Sequence, residues 1–213
     1  MEPVCYIVGA AATEMLPSVR EGDFLIAADR GYEALRAAGH TPDLILGDFD
    51  SLGYVPEGEN VLSHSPIKDD TDLMLAIRWA MDRGWRRFVI YGALGGKRLD
   101  QTVASFQTLR FLADHGAKGR LVGDGWNVKL LKNAALRFPS AASGWLSVFV
   151  SGNEARGVTL RGLKYELTDA ALTCGVPLGV SNDCLGRTAR ISDADGALSV
   201  LGQGSVLPEE EAI

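Results

Sequence analysis

Several aspartates of this 213-residue chain lie where their carboxylates can act together. Asp48 and Asp50 are separated by one residue and follow the apolar run Leu44–Leu46, so both carboxylates project on the same side of an extended backbone. Two like charges at such a short distance repel each other unless a cation lies between them. Further acids follow another apolar run or open predicted helices: Asp29, Asp69, Asp70, Asp72 and Asp100.

Magnesium is the cation that this set of acids favours. Mg²⁺ takes oxygen ligands in octahedral geometry and is held by one or two carboxylates together with phosphate oxygens and water. Asp72 and Asp100, at neighbouring helix starts, would complete the site that Asp48 and Asp50 begin. Taken singly, each acid has a simpler interpretation, such as a helix N-cap for Asp69 or Asp70 and a turn former for Asp29.

Basic residues and glycines in the same loops indicate a phosphate ligand. Lys68 precedes one acidic segment, and Lys97 and Arg98 follow the glycine-rich stretch Gly92–Gly96, where backbone N–H groups can approach an anion at a helix start. The stretch is not a P-loop, because its spacing is one residue short and Arg98 replaces the required Ser or Thr. GxGxxG and GxSxG are also absent, so neither a nicotinamide-binding domain nor an α/β-hydrolase is favoured.

Apolar runs and helical patterns alternate over residues 1–120 and would position these groups. Strands are predicted at residues 5–8, 24–28, 44–46, 60–63 and 88–91, and helices at 31–38, 70–83 and 99–115. In the last helix the expected inner residues are Val103, Phe106, Leu109 and Leu112. This alternation favours a parallel sheet covered on both faces, which binds ligands beyond the carboxyl ends of its strands.

The helical period disappears after about residue 125, and glycines punctuate short strand-like runs. Runs at residues 145–150, 158–160, 163–167, 188–191 and 197–201 predict a small antiparallel β domain, a sandwich or an open barrel. Residues 121–132 are expected to form the crossover, and residues from 208 onward a frayed tail. The predicted fold class is an α/β N-terminal domain with a mainly parallel sheet, residues 1–125, plus a small all-β C-terminal domain, residues 126–213.

Composition argues against several classes of partner. The 21 basic and 27 acidic residues give a net charge of −6 without a long basic run, so neither nucleic acid nor a membrane surface is an expected partner. No apolar run approaches the ~18–20 residues of a membrane helix, and the N-terminus lacks the pattern of a signal peptide. The cysteines, Cys5, Cys174 and Cys184, form no CxxC pair, which favours reduced thiols in a cytoplasmic protein.

The residues alone therefore predict a Mg²⁺-dependent enzyme that acts on a phosphate compound. In their order along the chain, the segments also resemble the thiamine pyrophosphokinase family. Six stretches carry the resemblance, and each is weak by itself, but they occur in register over nearly the whole chain: Ala28–Gly31, Pro42–Ser51, Lys68–Asp72, Gly92–Gln101, Gly162–Leu167 and Gly179–Asp183.

The resemblance implies an ATP:thiamine diphosphotransferase. Such an enzyme moves the pyrophosphoryl group of ATP to the hydroxyl of thiamine and releases AMP, with Mg²⁺ as cofactor and ATP as co-substrate. The N-terminal domain would bind ATP and Mg²⁺ and catalyse the reaction. The β-sandwich domain would bind thiamine and dimerise, with the thiamine pocket at the interface of a homodimer.

The resemblance also implies roles for individual residues. Catalytic and Mg²⁺-binding positions fall on Asp48, Asp50, Asp72 and Asp100, and either Asp72 or Asp100 would accept the alcohol proton. ATP and phosphate contacts are expected from Asp29, Lys68, Thr71, Lys97, Arg98 and Gln101. Thiamine contacts are expected from Ser181 and Asn182. The aromatic that stacks on thiamine has three candidates: Trp126, Trp145 and Tyr165.

Two other functions stay open at this point. One is a pyrophosphokinase for another alcohol, such as 6-hydroxymethylpterin, although Gly162–Leu167 and Ser181–Asn182 favour thiamine. The other is a non-catalytic sensor that binds thiamine or a nucleotide. Acids at all four predicted metal positions argue against a sensor, because binding without turnover does not need a full metal set.

Overall fold

The computed structural model describes residues 2–11, 13–65, 69–123, 125–204 and 209–211. The chain divides into two compact units, Met1–Asp124 and Gly125–Ile213. Within the described residues, no helix is both long and apolar enough to cross a membrane.

Six strands and three helices make up the described part of the first unit. The strands are β1 (Cys5–Val8), β2 (Phe24–Ala28), β3 (Leu44–Gly47), β4 (Val61–Ser63), β5 (Arg87–Tyr91) and β6 (Lys118–Gly123). The helices are α1 (Gly31–Ala37), α2 (Asp72–Asp82) and α3 (Leu99–Asp114). The strand order is β6-β5-β1-β2-β3-β4, and every pairing is parallel, which confirms the predicted parallel sheet.

Helices cover both faces of this sheet. Alternate strand residues point to opposite sides, and strands such as β1 are buried at every position, so both faces need cover. Leu35 of α1 packs with Leu25 and its neighbours on one face. On the other face, the Phe24 ring stacks on Trp79 of α2 with 5.7 Å between ring centroids. Gly119 of β6 lies on that second face, where a Cβ would come within 2.6 Å of a leucine of α3. The glycine therefore allows α3 to pack close to the sheet.

The buried side of α3 matches the prediction at Leu109 and Leu112 but not at Val103. Val103 is 56% exposed, and the buried residues are Ser105, Thr108, Leu109 and Leu112. Ser105 Oγ donates to the Gln101 carbonyl oxygen at 2.8 Å, and Thr108 Oγ1 donates to the Ser105 carbonyl oxygen at 2.7 Å. These bonds satisfy both hydroxyls within the helix. Ser105 and Thr108 can therefore lie on the buried side of α3, where Val103 was predicted.

The described part of the second unit contains nine strands and no helix. They are β7 (Trp126–Leu131), β8 (Ala135–Phe138), β9 (Ser143–Val150), β10 (Glu154–Arg161), β11 (Leu167–Thr173), β12 (Gly179–Leu185), β13 (Ala189–Ser192), β14 (Leu198–Gln203) and β15 (Glu209–Glu211). Within this unit, one set of antiparallel strands runs β12-β9-β14-β7 and the other runs β11-β10-β13-β8-β15. Both sets contribute to one apolar core, which includes Leu136, Leu146, Leu160 and Ile191.

Three local predictions for this half of the chain were wrong. Residues 121–132 are not a crossover, because they include the end of β6 and all of β7, with Gly125 between them at φ +76°. Residues 163–166 form a loop rather than a strand, and only Leu163 makes an isolated bridge, to Cys184. The tail is not simply frayed, because residues 209–211 pair with β8 as strand β15.

Candidate active site

Three carboxylates converge at the carboxyl edge of the parallel sheet. Asp29 follows β2, and Asp48 and Asp50 follow the adjacent strand β3. One carboxylate oxygen from each residue lies within 4.8 Å of one from each of the others. Among the described residues, this is the group of acids close enough to share one cation. Adjacent parallel strands end at the same edge of the sheet, which explains why the three meet.

The turn after β3 is folded around Phe49. This residue has φ +60°, which is rare for a bulky side chain, and it is 2% exposed in the core. Its carbonyl oxygen accepts hydrogen bonds from Leu52 N at 3.2 Å and Gly53 N at 3.1 Å, while Asp50 N donates to Asp48 Oδ1 at 3.2 Å. The buried ring anchors the turn, and the two flanking carboxylates stay accessible at its surface.

Asp29 is the buried member of the group, at 8% exposure and φ +51°. Its Oδ2 accepts a hydrogen bond from Ser51 Oγ at 2.6 Å. Its Oδ1 is buried and has no hydrogen-bond donor among the described residues. Leaving a charged oxygen buried without a partner is costly, so the arrangement fits a cation ligated there. The group Asp29, Asp48 and Asp50 thus has the oxygen donors and the unmet charge that Mg²⁺ requires.

The other two predicted metal ligands lie outside this group. Asp72 is half-buried and opens α2. Asp100, in the first turn of α3, is exposed and pairs with Arg98, whose Nη2 donates to Asp100 Oδ2 at 2.6 Å. Hydrogen bonds from the Arg98 guanidinium lower the pKa of the Asp100 carboxyl. Asp100 is therefore a weaker proton acceptor than an unpaired aspartate, and it also orients Arg98.

Thr71, rather than Asp69 or Asp70, caps α2. Its hydroxyl accepts a hydrogen bond from Met74 N at 3.2 Å, as a helix N-cap does. Asp70 instead forms an ion pair with Arg78, with 3.0 Å between Oδ2 and Nε. The hydrogen atom of the Thr71 hydroxyl stays available for an acceptor on a ligand.

The remaining phosphate candidates lie at the start of α3 and just before α2. Lys97 and Gln101 are exposed, and Gly95 and Gly96 have φ of +72° and +78°. Thr102 Oγ1 donates to the Gly95 carbonyl oxygen at 3.2 Å and ties this loop to the helix. Lys68, the other basic residue predicted to contact phosphate, lies outside the described residues.

Backbone contacts between two neighbouring loops hold the same edge of the sheet together. Gly9 N donates to the Tyr91 carbonyl oxygen at 2.8 Å, and Ala11 N donates to the Gly92 carbonyl oxygen at 2.9 Å. A Cβ on Gly92, whose φ is +61°, would lie 2.5 Å from the Gly9 carbonyl oxygen. The glycine at the head of the Gly92–Gly96 stretch is therefore required by this close approach of two backbones.

The predicted thiamine segment lies on β12 in the second unit. Ser181 is exposed, with φ +60°, and its N–H donates to Ser147 Oγ at 3.2 Å. Asn182 is 2% exposed. Its side-chain oxygen accepts a hydrogen bond from Tyr165 N, and its side-chain nitrogen donates one to the Tyr165 carbonyl oxygen. The structure therefore brings Asn182 together with Tyr165, a connection that residue spacing did not reveal.

The three aromatic candidates differ in exposure and surroundings. Trp126, the first residue of β7, is half-buried. Trp145 is 61% exposed on β9, and Tyr165 is 59% exposed in the loop between β10 and β11. Tyr165 is bonded through its backbone to the Asn182 side chain, and Trp145 lies opposite Asp183 in the pairing of β9 with β12.

Asp29→Asn is expected to lower the apparent affinity for Mg²⁺ at least ~10-fold while leaving the fold intact. Asn tolerates the left-handed backbone of this position and can keep the hydrogen bond from Ser51, so the change removes little besides the charge. A calorimetric titration of the protein with Mg²⁺, with circular dichroism on the same samples, measures the effect. An unchanged Mg²⁺ affinity would contradict the place of Asp29 in the cation group.

These features define an α/β unit with three clustered carboxylates at the carboxyl edge of a parallel sheet, followed along the chain by an all-β unit. The chain matches the family model for the thiamin pyrophosphokinase catalytic domain over residues 18–120 and the model for its vitamin B1 binding domain over residues 133–198. The two models together match most of the chain. The chain belongs to the thiamin pyrophosphokinase family, which confirms the resemblance.

Individual relatives agree with this assignment. The chain is 26% identical over 207 residues to the thiamine pyrophosphokinase of Bacillus subtilis. The aligned region covers 92% of this chain and 96% of that protein. A crystal structure of thiamin pyrophosphokinase from Geobacillus thermodenitrificans matches with a TM-score of 0.79 and 26% identity, over 95% of this chain and 98% of that one. The Bacillus subtilis crystal structure matches in fold, with a TM-score of 0.81, 23% identity and coverage of 95% and 99%.

Proposed function

We propose that the chain transfers the pyrophosphoryl group of ATP to the hydroxyl of thiamine, giving thiamine diphosphate and AMP. The observation that carries the proposal is the group of Asp29, Asp48 and Asp50 at the carboxyl edge of the sheet in a chain of this family. Three carboxylates alone repel the polyphosphate of ATP, so a divalent cation between them is what makes the site suitable for a nucleotide. The vitamin B1 binding domain match supports thiamine as the acceptor.

Asp29, Asp48 and Asp50 are the residues we assign to Mg²⁺, and Asp72 remains a further candidate ligand from the sequence. When bound, Mg²⁺ neutralises charge on the transferred phosphate oxygens and on the departing AMP. Lys97 and Arg98 supply further positive charge to the phosphates. Asp100 acts on Arg98, because its two oxygens hold the guanidinium in one orientation.

Transfer requires the thiamine hydroxyl oxygen to attack the β-phosphorus of ATP. A new oxygen–phosphorus bond forms, and the bond between the β-phosphorus and the oxygen bridging to the α-phosphate breaks, so that oxygen leaves with AMP. The hydroxyl proton passes to a carboxylate. We assign this role to Asp72 rather than to Asp100, because the pairing with Arg98 lowers the pKa of Asp100 and makes it the weaker base.

Thiamine binding is assigned to the second unit. We propose that its aromatic ring stacks on Tyr165, whose ring is exposed and whose backbone is held by Asn182. The exposed hydroxyl of Ser181 would contact a polar group of thiamine. Asn182 is buried with its amide occupied, which supports a role in holding Tyr165 rather than in contacting substrate freely.

A homodimer with the thiamine pocket at its interface is the proposed assembly. Support comes from an apolar face on the second unit, formed by Trp145, Phe149 and Leu185. Trp145 and Phe149 alternate along β9 with the core residues Leu146 and Val148, and Leu185 pairs with Ser143 on the same side. The three are 61%, 38% and 48% exposed, and clustered apolar exposure of this kind marks an association surface.

Trp145→Glu is expected to convert the dimer into a monomer, because a buried unpaired carboxylate costs several kcal/mol, roughly the energy of a stable interface contact. Light scattering after size exclusion measures the mass, which for the unaltered chain should be twice 22.8 kDa. Tyr54→Glu, which changes an exposed aromatic of the first unit, serves as the control and should stay dimeric. A monomeric unaltered chain, or a dimeric Trp145→Glu variant, would contradict the proposed surface.

Finer assignments from the sequence belong to the same proposal. We keep the N-terminal domain, residues 1–125, as the ATP and Mg²⁺ domain and residues 126–213 as a sandwich-like thiamine and dimerisation domain. A cytoplasmic location is supported by the three cysteines, which are free thiols.

A panel of acceptor alcohols tests the proposed function against its alternatives. The protein is incubated with ATP, Mg²⁺ and either thiamine, 6-hydroxymethylpterin or no alcohol, and thiamine binding is measured separately by calorimetry. The proposal predicts AMP with thiamine alone. If AMP forms only with the pterin, the acceptor substrate is the pterin and not thiamine. If thiamine binds but no sample yields AMP, the protein is a non-catalytic sensor.

A further inference from the structure

The loop between β10 and β11, residues Gly162–Glu166, carries the exposed ring of Tyr165 and is called the aromatic loop below. A ring that stacks on a ligand binds best when it is already held in its bound orientation, because ordering it during binding costs affinity. Within this loop, Leu163 is 1% exposed and packs in the core of the second unit, whereas Tyr165 is 59% exposed. The buried Leu163 fixes one point of the loop, and the hydrogen bonds around Tyr165 add the order that its exposed ring needs.

One anchor holds the middle of the aromatic loop. Asn182 Oδ1 accepts from Tyr165 N at 2.9 Å, and Asn182 Nδ2 donates to the Tyr165 carbonyl oxygen at 2.7 Å. Lys164 N also donates to the Asp183 carbonyl oxygen at 3.0 Å. These bonds fix the backbone at Tyr165 against β12, but they leave the two ends of the loop to other contacts.

A second anchor, centred on Glu166, closes the ends of the aromatic loop. Glu166 Oε1 accepts a hydrogen bond from Gly162 N at 2.7 Å, and its Oε2 accepts one from Arg161 Nη1 at 3.2 Å. Arg187 Nε donates to the Gly162 carbonyl oxygen at 3.3 Å, while its Nη2 lies 3.9 Å from Glu166 Oε1. Both polar groups of the Gly162 backbone are thus held by charged side chains.

Gly162 accepts this position because it lacks a side chain. Its φ is +73°, and a Cβ there would collide with the Thr188 carbonyl oxygen. The entry of the aromatic loop is consequently pressed against the turn before β13, and Glu166 ties the exit of the loop to that fixed point. The loop therefore closes at a defined width, with Tyr165 immediately before the closing residue.

We propose that Glu166, together with Arg161 and Arg187, is a positioning residue that presets Tyr165 for stacking on the aromatic ring of the acceptor substrate. This inference rests on the proposed function for the role of Tyr165 itself. The gain in affinity comes from order already present in the free protein and not from a contact between Glu166 and thiamine. The lowered pKa of the Glu166 carboxyl, caused first by the hydrogen bond from Gly162 N, agrees with a carboxylate that is charged whenever the loop is closed.

Glu166→Ala is expected to raise the KM for thiamine about three- to tenfold, because it removes one charge-assisted anchor that is exposed to solvent. The turnover number kcat and the KM for ATP should stay within about twofold, since no reacting atom is touched. Glu166→Gln keeps an acceptor for Gly162 N but loses the charge that attracts both arginines. It should recover most of the thiamine affinity lost in the Ala variant.

Glu154→Ala is the matched control. Glu154 pairs with Arg156 at 2.9 Å, has a similar exposure and lies at the opposite end of β10. The two Ala variants should show similar Tm values, and only Glu166→Ala should change the KM for thiamine. Equal KM values in both Ala variants would overturn the inference, as would a Gln variant as impaired as Ala.

Tyr165→Ala separates a failure of this inference from a failure of the proposed function. If Tyr165→Ala raises the KM for thiamine and Glu166→Ala does not, Tyr165 binds thiamine without the Glu166 anchor and the inference is wrong. If neither variant changes that KM, the assignment of thiamine to Tyr165 is itself wrong. In the double variant, the Glu166 change should have no further effect, because the ring that it positions is gone.

Discussion

Asp50→Asn is expected to reduce kcat by at least ~10²-fold, because it removes a charge directed at the metal and the transferred phosphates. Asp50 is exposed, and its carboxylate is one of the three that cluster at the carboxyl edge of the sheet. The turn should survive the change, since its hydrogen bonds use the Asp50 backbone and the buried Phe49 ring. A loss of activity without a loss of fold is therefore the expected outcome.

Steady-state kinetics at saturating thiamine and ATP, over a range of Mg²⁺ concentrations, measures the effect of Asp50→Asn. Asp82→Asn is the matched control, because Asp82 is an exposed acid of the same unit, at the C-terminal end of α2, and does not belong to the cluster of Asp29, Asp48 and Asp50. Its kcat should be unchanged. Equal activity of the Asp50 and Asp82 variants would place the metal elsewhere.

Tyr165→Ala is expected to raise the KM for thiamine between about 5- and 150-fold, since stacking of a ring on an aromatic side chain is worth ~1–3 kcal/mol. The KM for ATP should not change. Tyr165→Phe should behave like the unaltered protein, because stacking depends on the ring and the hydroxyl is exposed to solvent.

Tyr54→Ala provides the comparison for Tyr165→Ala, because it also truncates an exposed tyrosine but lies in the first unit. Thiamine affinity is measured by calorimetry and by KM on all three variants. A KM for thiamine that is unchanged in Tyr165→Ala would direct attention to Trp145, the other strongly exposed aromatic candidate of the second unit.

Much of the first unit follows from local sequence patterns. Apolar runs such as Cys5–Val8 and Phe24–Ala28 match the observed strands β1 and β2, because continuous burial in a parallel sheet leaves an unbroken apolar signal. The proximity of Asp48 and Asp50 was also predicted, but for the wrong reason: the prediction assumed an extended backbone, whereas Phe49 between them has φ +60° and the segment is a turn.

The composition of the acidic group was only partly predictable. Asp29 was expected to contact phosphate, yet it lies with Asp48 and Asp50, because β2 and β3 are neighbours in the sheet. Strand order depends on long-range pairing that local spacing does not encode. Asp100 was expected beside these acids, but its side chain is taken by Arg98, two residues away. The Ala-Asp-Arg-Gly motif after β2 was the signal that could have identified Asp29.

Sequence patterns failed most where polar contacts replace apolar ones. The run Leu163–Leu167 resembles a strand, but side chains of Asn182 and Glu166 hold most of it as a loop. Val103 of α3 is exposed because Ser105 and Thr108 satisfy their hydroxyls inside the helix and fill the buried side instead. Polar residues can occupy such positions because of their hydrogen bonds, and hydrophobic periodicity does not detect those bonds.

Product identification from ATP labelled at the β-phosphate tests the proposed reaction most directly. The protein is incubated with this ATP and Mg²⁺, with and without thiamine, and the products are separated and weighed by mass spectrometry. The proposed reaction predicts unlabelled AMP and thiamine diphosphate that carries the label, both only when thiamine is present. Formation of ADP with thiamine monophosphate, or no AMP although thiamine binds, would contradict pyrophosphoryl transfer at this site.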